Sequence, residues 1–440
     1  MGNPKFSIVI PTRNRAATLR FALMTCLEQR FDDFEVIVSD NFSTPETRQV
    51  CEDLNCDRLR YYRSDRPLSM ARSFELALSK SSGEWVIFIG DDDGLLPDGL
   101  TFLNEFVSTS PFQLIRWDPP YYVWPIAGRP RESSYLRVPI VRGPTWEPSW
   151  GCAAIRKVTA FQQQYFTLPS FYHGAVSRSL ITKFHRSAGA CLFGRYPDVY
   201  SSFVLAYLAG QYVNLTPPVT IVGHSTDSNG GHGLRSGSVH PEFFPLHEKD
   251  NVLSHPWVGE ITRVSLTSSY VAESFWQAKE RYFPQDRSLE LSRRGYLMHV
   301  LQTFRAESLE AWEEGLDLIR KQLEDDVDLR AWFCDHSKRI PPQIKTAATG
   351  WEPSRYLETM KGKGLHGGSL HVDGSVLGIH DIHAATKFCG SKLRLDTMSQ
   401  RGSRIRQTFR STAFGRILTM PRRCVGSCIR FFCPSYGTLT

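Results

Sequence analysis

Three consecutive aspartates, Asp91, Asp92 and Asp93, are the residues whose type and crowding point most directly to chemistry. Carboxylates this close repel one another and make poor strand formers. They nevertheless follow directly on the apolar run Trp85–Ile89 and Gly90. A short apolar run bounded by turn residues predicts a strand buried on both faces of a parallel sheet. The carboxyl ends of such strands are where open α/β sheets place their ligand crevice. Three carboxylates at one strand tip suit a hard divalent cation, Mg²⁺ or Mn²⁺, whose oxygen shell a substrate diphosphate would complete. The same residues also fit a solvated acidic turn. Pro97 and Asp98 then predict a helix start, with Asp98 as N-cap ahead of Leu100, Phe102, Leu103 and Phe106.

The elements that must position this cluster lie upstream. FSIVIP (6–11) predicts a first buried strand running into Thr12, Arg13, Asn14 and Arg15, followed by a helix over about 18–28 with Leu19, Leu23 and Leu27 on one face. FEVIVS (34–39) predicts a second strand that also ends on a carboxylate, Asp40. Ser43, Thr44 and Pro45 open the next helix. A shorter strand over 59–63 and a helix over 69–79 lead back to the acidic strand. Strands alternating with helices imply a parallel sheet with right-handed crossovers, a Rossmann-like nucleotide-binding half. No GxGxxG follows the first strand, which counts against a dinucleotide cofactor.

FSIVIPTRNR, VIVSDNFST, MARSFELAL and FIGDDDGLLPDGL, taken in that order over residues 5–105, resemble the N-terminal half of a family-2 glycosyltransferase with the GT-A fold. The resemblance implies an α/β enzyme with a mostly parallel sheet flanked by helices and a mainly helical C-terminal region. It implies inverting hexosyl or N-acetylhexosaminyl transfer from a nucleotide-diphosphate sugar, with Mn²⁺ or Mg²⁺ as cofactor. By this resemblance Pro11, Thr12 and Arg13 belong to a uridine site, Asp40 accepts from the base edge, and Arg72 lies near the diphosphate. Asp91 and Asp92 face the donor, and Asp93 and Asp91 hold metal within the DXD-type motif. Asp40 and Arg72 equally fit a helix-approach cap and a solvated helix residue.

Residues 111–169 are rich in Pro, Gly and aromatics, in PPYYVWPIAGRPRES and GPTWEPSWG, and read as acceptor-facing loops or a structural crossover. Phe171–Arg186 reads as a loop entering a helix, and 213–223 as one strand that its two prolines place at an edge. Asp198, beside Pro197 at a helix start, matches the family's general base and equally fits an ordinary N-cap. The loop HSTDSNGGHGLRSGS carries His232, a candidate metal ligand on a lid, or is a plain flexible loop. The expected domains are a transferase domain over 1–245 (nucleotide-binding half 1–110, acceptor half 111–245), a mainly helical domain over 246–385, and a basic tail over 386–440.

At 440 residues with 41% apolar content the chain is ample for two packed domains. No long uncharged apolar run predicts a membrane span, and the N-terminus lacks a secretory layout. Ten scattered cysteines without CxxC spacing predict free thiols in a reducing cytoplasm. Residues 381–440 carry eleven Lys/Arg against two Asp, so the net charge of +7 belongs to the tail and the body is close to neutral. That tail suits peripheral contact with an anionic inner membrane face, or is simply solvated. No nucleic-acid recognition motif accompanies it. The resulting expectation is a cytoplasmic enzyme that builds surface polysaccharide on a glycan or lipid-linked acceptor. Its alternatives are a sugar-phosphate nucleotidyltransferase and a non-catalytic nucleotide-sugar or glycan-binding protein.

Overall fold

The computed structural model describes residues 2–130, 133–141, 143–226, 266–344 and 360–393. In chain order its first elements are β1 (Phe6–Thr12), α1 (Ala16–Leu27), β2 (Phe34–Asp40), α2 (Pro45–Leu54), β3 (Leu59–Arg63), α3 (Met70–Lys80) and β4 (Trp85–Phe88). β1, β2 and β4 are buried along their whole length, as their runs of Ile, Val and Phe require. The four strands pair in parallel in the order β3-β2-β1-β4. Thr12 lies opposite Asp40, and the pairing of Val9 with Phe88 is continued by an Ile89 N–H donating to Val9 O at 3.1 Å. The register therefore brings the ends of β1, β2 and β4 to one edge, where Asp40 and Asp91–Asp93 emerge.

β5 (Gly94–Leu95) and α4 (Gly99–Val107) follow, then β6 (Leu114–Trp117), β7 (Tyr121–Val123), β8 (Tyr135–Pro139), β9 (Thr145–Trp150) and α5 (Gly151–Thr159). Next come β10 (Gly174–Ser177), α6 (Arg178–Ala188), α7 (Pro197–Ala209), β11 (Gln211–Thr216) and β12 (Thr220–His224). The large sheet continues from β4 as β10-β6-β11-β9, giving eight strands with a parallel-rich first half. A second sheet pairs β12 with β7 in parallel and with β5 antiparallel, Ile221 opposite Gly94. The fold class is thus α/β, with a large sheet, parallel in its first half, flanked by helices.

Several local expectations give way to tertiary context. The two prolines at 217 and 218 do not interrupt one edge strand. They form a turn, with a cis Thr216–Pro217 bond, between β11 and β12, and each strand has partners on both sides. The proline-bearing edge strand is β9, which carries Pro148 in a stretch expected to be irregular. The loop expected before α6 contains β10, which slots antiparallel between β4 and β6. Asp98 occupies the N-cap position of α4, but its side chain does not cap. Its φ is +59°, its carboxylate pairs with Arg30, and Gln29 Oε1 accepts from Leu100 N–H at 3.1 Å instead.

The remaining elements are α8 (Leu266–Tyr282), α9 (Arg293–Thr303), α10 (Leu309–Gln322), α11 (Val327–Ser337), the hairpin β13 (Gly364–His366) and β14 (Ser369–Asp373), and α12 (Ile382–Leu393). α8 packs on α7 through Phe203 against Phe275 (ring centroids 5.5 Å apart), and Phe283, just after α8, packs against Tyr207 (4.4 Å). One apolar core runs from Val9 and Phe88 through Phe203 to Trp312 and Phe333. The expected boundary near 245 lies outside the described residues, as does the tail beyond 393.

Glu35, on β2, fastens the base of the parallel sheet. It accepts from Ser7 Oγ of β1 (2.6 Å), Ser82 N–H (2.7 Å) and Ser82 Oγ (2.8 Å). Burial favours its neutral form, but these donors and Arg60 outweigh that and hold its pKa below the usual carboxylate range. Its contribution is therefore fully present above the unfolded-state pKa of about 4.3 and is lost as pH falls through the lower folded-state value. Glu35→Gln should cost about 1–3 kcal/mol at pH 7 in urea denaturation, and the gap to the parent should close on acidification. A gap independent of pH would show that the charge of Glu35 is not what matters.

Candidate active site

The turn after β1 carries the first part of the site. Asn14 adopts a left-handed φ of +54°, which Asn tolerates, and its carboxamide oxygen accepts from Thr44 N–H at 3.0 Å. Its own N–H donates to Ser43 Oγ (2.8 Å), so the β1 and β2 turns are tied together. Thr12 Oγ1 then donates to one oxygen of Asp91 (2.6 Å) and Arg15 to the other (2.7 Å). Asp91 is fully buried, and Arg15 is 16% exposed at its side chain. Burial opposes the guanidinium charge, but Asp91 and Asp92 outweigh it and raise the Arg15 pKa.

The second part comes from β12. Gly223 N–H donates to Asp93 Oδ1 (2.7 Å), and Ser225 donates to Asp92 Oδ2 from its N–H (2.9 Å) and hydroxyl (2.7 Å). A Cβ on Gly223 would sit 1.8 Å from Asp92 O, so only glycine permits this approach. Trp124 Nε1 donates to the same carbonyl at 2.9 Å.

His173, just before β10, places Nε2 3.3 Å from Asp93 Oδ2, which also accepts from Gly90 N–H at 2.6 Å. Its Nδ1 meets Thr220 Oγ1 (2.9 Å), which already accepts from Trp117 Nε1 (2.7 Å). The hydroxyl proton is thus available to Nδ1, leaving the ring proton at Nε2 facing Asp93.

Burial and the neighbouring charges of Asp93 and Asp91 push Asp92 up to about 7. Asp93 behaves oppositely. Burial alone would raise its pKa, but His173 and the N–H groups of Gly223 and Gly90 outweigh that and lower it.

The other expected residues fall around this centre. Pro11 is buried in β1, and Arg13 lies in the turn beside Thr12. Asp40 is buried and accepts from Ser43 N–H (2.8 Å) and the Tyr61 hydroxyl, with Arg63 at 3.8 Å. Arg72 is exposed in the first turn of α3. Asp198 sits in the first turn of α7 rather than at its N-cap, which is Tyr196. Burial raises its pKa, partly offset by its own N–H and that of Val199. Asp198 shares a neighbourhood with the acidic cluster through Tyr172, whose own pKa is raised by burial and then by the charges of Asp93, Asp198 and Asp91. His232 lies outside the described residues.

Sequence reasoning missed Arg15, Tyr172, His173 and Ser225 as members of the site. Arg15 stood in a quoted motif, two residues beyond the expected uridine contacts. The others carry no local signal, because only pairing of β10 and β12 beside β4 and β5 brings them near.

Residues 7–157 match the family described as Glycosyl transferase family 2. Residues 7–157 thus form a domain similar to family-2 glycosyltransferases. Over 105 residues it is 36% identical to a Campylobacter jejuni GalNAc(5)-diNAcBac-PP-undecaprenol beta-1,3-glucosyltransferase, which covers 23% of this chain and 34% of that protein. A Mycobacterium tuberculosis PGL/p-HBAD biosynthesis glycosyltransferase is 32% identical over 97 residues, 22% of this chain and 38% of the other. The chain thus spans about a third of the length of the curated relatives it matches. The crystal structure of S. aureus TarS 1-349 in complex with UDP-GlcNAc aligns over 81% of this chain and 90% of that one, at 16% identity and a TM-score of 0.40.

Within that domain the Arg15–Asp91 pair is the deepest charge contact of the cluster. Removing one partner of a buried pair leaves the other charge uncompensated, so Arg15→Ala should cost about 3–5 kcal/mol in chemical denaturation. Arg48→Ala, which removes an exposed helix pair with Glu52, should cost under about 1 kcal/mol. Equal costs would show that the pair does not anchor the cluster.

Proposed function

We propose that the protein is an inverting glycosyltransferase that moves a hexosyl or N-acetylhexosaminyl group from a UDP-sugar to a glycan or lipid-linked acceptor. The observation that carries this reading is the convergence of a buried acidic cluster at the end of β4 with Asp40 at the end of β2 and Asp198 at the start of α7. A nucleotide diphosphate fits the first two and an attacking hydroxyl the third. Asp40 is already engaged by Ser43, Tyr61 and Arg63, so base recognition there requires an exchange of partners or the backbone of Pro11–Arg13. Arg72, exposed near the same edge, suits phosphate oxygens as a guanidinium fork.

Asp93 and His173 form the better metal pair, because Thr12 and Arg15 occupy both oxygens of Asp91. Carboxylate and imidazole together suit Mn²⁺. To ligate it, His173 would switch to the tautomer protonated at Nδ1, freeing the Nε2 lone pair and donating to Thr220 Oγ1, the kind of outer contact that orients metal-bound histidines. Bound there, the ion would neutralise the leaving diphosphate. Asp198, whose pKa burial raises, would take the acceptor hydroxyl proton.

The lipid-linked acceptor is favoured by the name of the Campylobacter jejuni relative, which acts on a glycan carried by PP-undecaprenol. No described helix is long and apolar enough to cross a membrane. Contact with an anionic membrane face would therefore fall to the Arg-rich residues of the tail.

Thermal denaturation against UDP, GDP, dTDP and CMP, with and without Mn²⁺, tests the donor. A ligand at a hundred times its dissociation constant adds about 2.7 kcal/mol, and the expected result is a shift for UDP that requires Mn²⁺. Asp93→Ala should lose that metal-dependent shift and turnover. Asp198→Asn should keep the shift and lose transfer by at least about a hundredfold. A shift for another nucleotide would change the donor, and Asp198→Asn with parental turnover would remove its role as base.

A further inference from the structure

A second constellation of metal-ligating side chains stands apart from the acidic cluster. A carboxylate oxygen of Glu75, a ring nitrogen of His185 and Sγ of Cys191 lie within 4.8 Å of one another. They come from three elements: α3, α6 and the segment between α6 and α7. From these residues we infer a binding site for Zn²⁺ or a similar borderline transition-metal ion, with Glu75, His185 and Cys191 as ligands and one position left to water.

The chemistry of the donor set fits. Zn²⁺ binds thiolate at about 2.3 Å and imidazole or carboxylate at about 2.0–2.2 Å, in tetrahedral geometry. Tetrahedral angles then put neighbouring ligand atoms about 3.3–3.5 Å apart. His185 Nε2 and Glu75 Oε1 are already 3.6 Å apart, and closing the rest of the triangle needs side-chain movements of about 1 Å.

The ring is also presented correctly. His185 Nδ1 contacts Gly189 O at 2.6 Å. A carbonyl only accepts, so Nδ1 carries the proton and Nε2 offers its lone pair toward Glu75. An outer hydrogen bond of this kind fixes the tautomer of metal-bound histidines. Glu75 is held from the opposite side, its Oε2 accepting from Leu192 N–H at 2.9 Å, which leaves Oε1 facing His185.

Access is graded. Cys191 is fully buried at the floor, while the side chains of Glu75 and His185 are 24% and 42% exposed, so an ion enters from the histidine side. The bound ion would tie α3 and α6 to the segment that leads into α7.

Cobalt reports the site, because a thiolate ligand to Co²⁺ gives a charge-transfer absorption. The full chain bearing Asp93→Ala, stripped with a chelator, removes binding at the acidic cluster from the measurement. It should take up one equivalent of Co²⁺ with that absorption, and Zn²⁺ should displace it. Cys191→Ser should abolish the absorption. His185→Ala alters a partly exposed side chain, so circular dichroism should stay unchanged while Co²⁺ affinity falls by roughly tenfold or more. Absence of the absorption, its persistence in Cys191→Ser, or parental affinity in His185→Ala would each overturn the site.

Discussion

Asp91, Asp92 and Asp93 sit buried beside one another at the end of β4. At an effective dielectric constant of about 20, two unit charges about 5 Å apart repel by about 3 kcal/mol, and desolvation adds to that. The arrangement survives because each carboxylate has a different compensator. Asp91 has a guanidinium and a hydroxyl, and Asp93 has an imidazole and two backbone N–H groups. Asp92 has Ser225 on its carboxylate, and burial pushes its pKa to about 7; burial raises that of Asp91 too, against the pull of Arg15 and Thr12. The three acids thus differ in environment, and that difference lets neighbouring identical residues take different roles.

The supply of compensators explains much of the topology. Arg15 reaches Asp91 because the turn after β1 is tied to the turn after β2 through Asn14, Ser43 and Thr44. Gly223 and Ser225 arrive because β5, the two residues after the acidic turn, pairs with β12. His173 arrives because β10 inserts beside β4. Three segments far apart in sequence are therefore held against one turn, and the second sheet serves the site as much as the core. The approach of β12 is close enough that no side chain fits at Gly223.

Asp198 depends on a separate support. α7 is buried along most of its length and is backed by α8 through paired aromatic rings. The C-terminal helices thereby share the core that fixes the helix carrying this acid. The charges of both Asp198 and the acidic cluster act on Tyr172, raising its pKa beyond what burial does. The inferred metal site lies on the segment entering the same helix.

Local pattern determined the parallel half by itself. Runs such as FSIVI and FEVIV can hardly be anything but buried strands, and the alternation with helices fixes both their direction and the edge where Asp40 and Asp91–Asp93 emerge. The family was legible for the same reason, since its motifs are the ends of those strands. Asp198 was legible as a helix-opening acid. Past residue 110 local pattern weakened: β9 is largely exposed and carries Pro148, β10 has only four residues, and β13 and β14 sit among glycines. Prolines 217 and 218 could mark a strand edge or a turn with equal local justification. Only tertiary pairing chose the turn. It also decided how the carboxylates differ, burial raising the pKa of Asp91 and Asp92 while partners such as His173 and Gly223, 80 and 130 residues away in the chain, lower that of Asp93. Sequence specifies which groups can ionise, whereas solvent exclusion and the geometry of distant donors set which of them do.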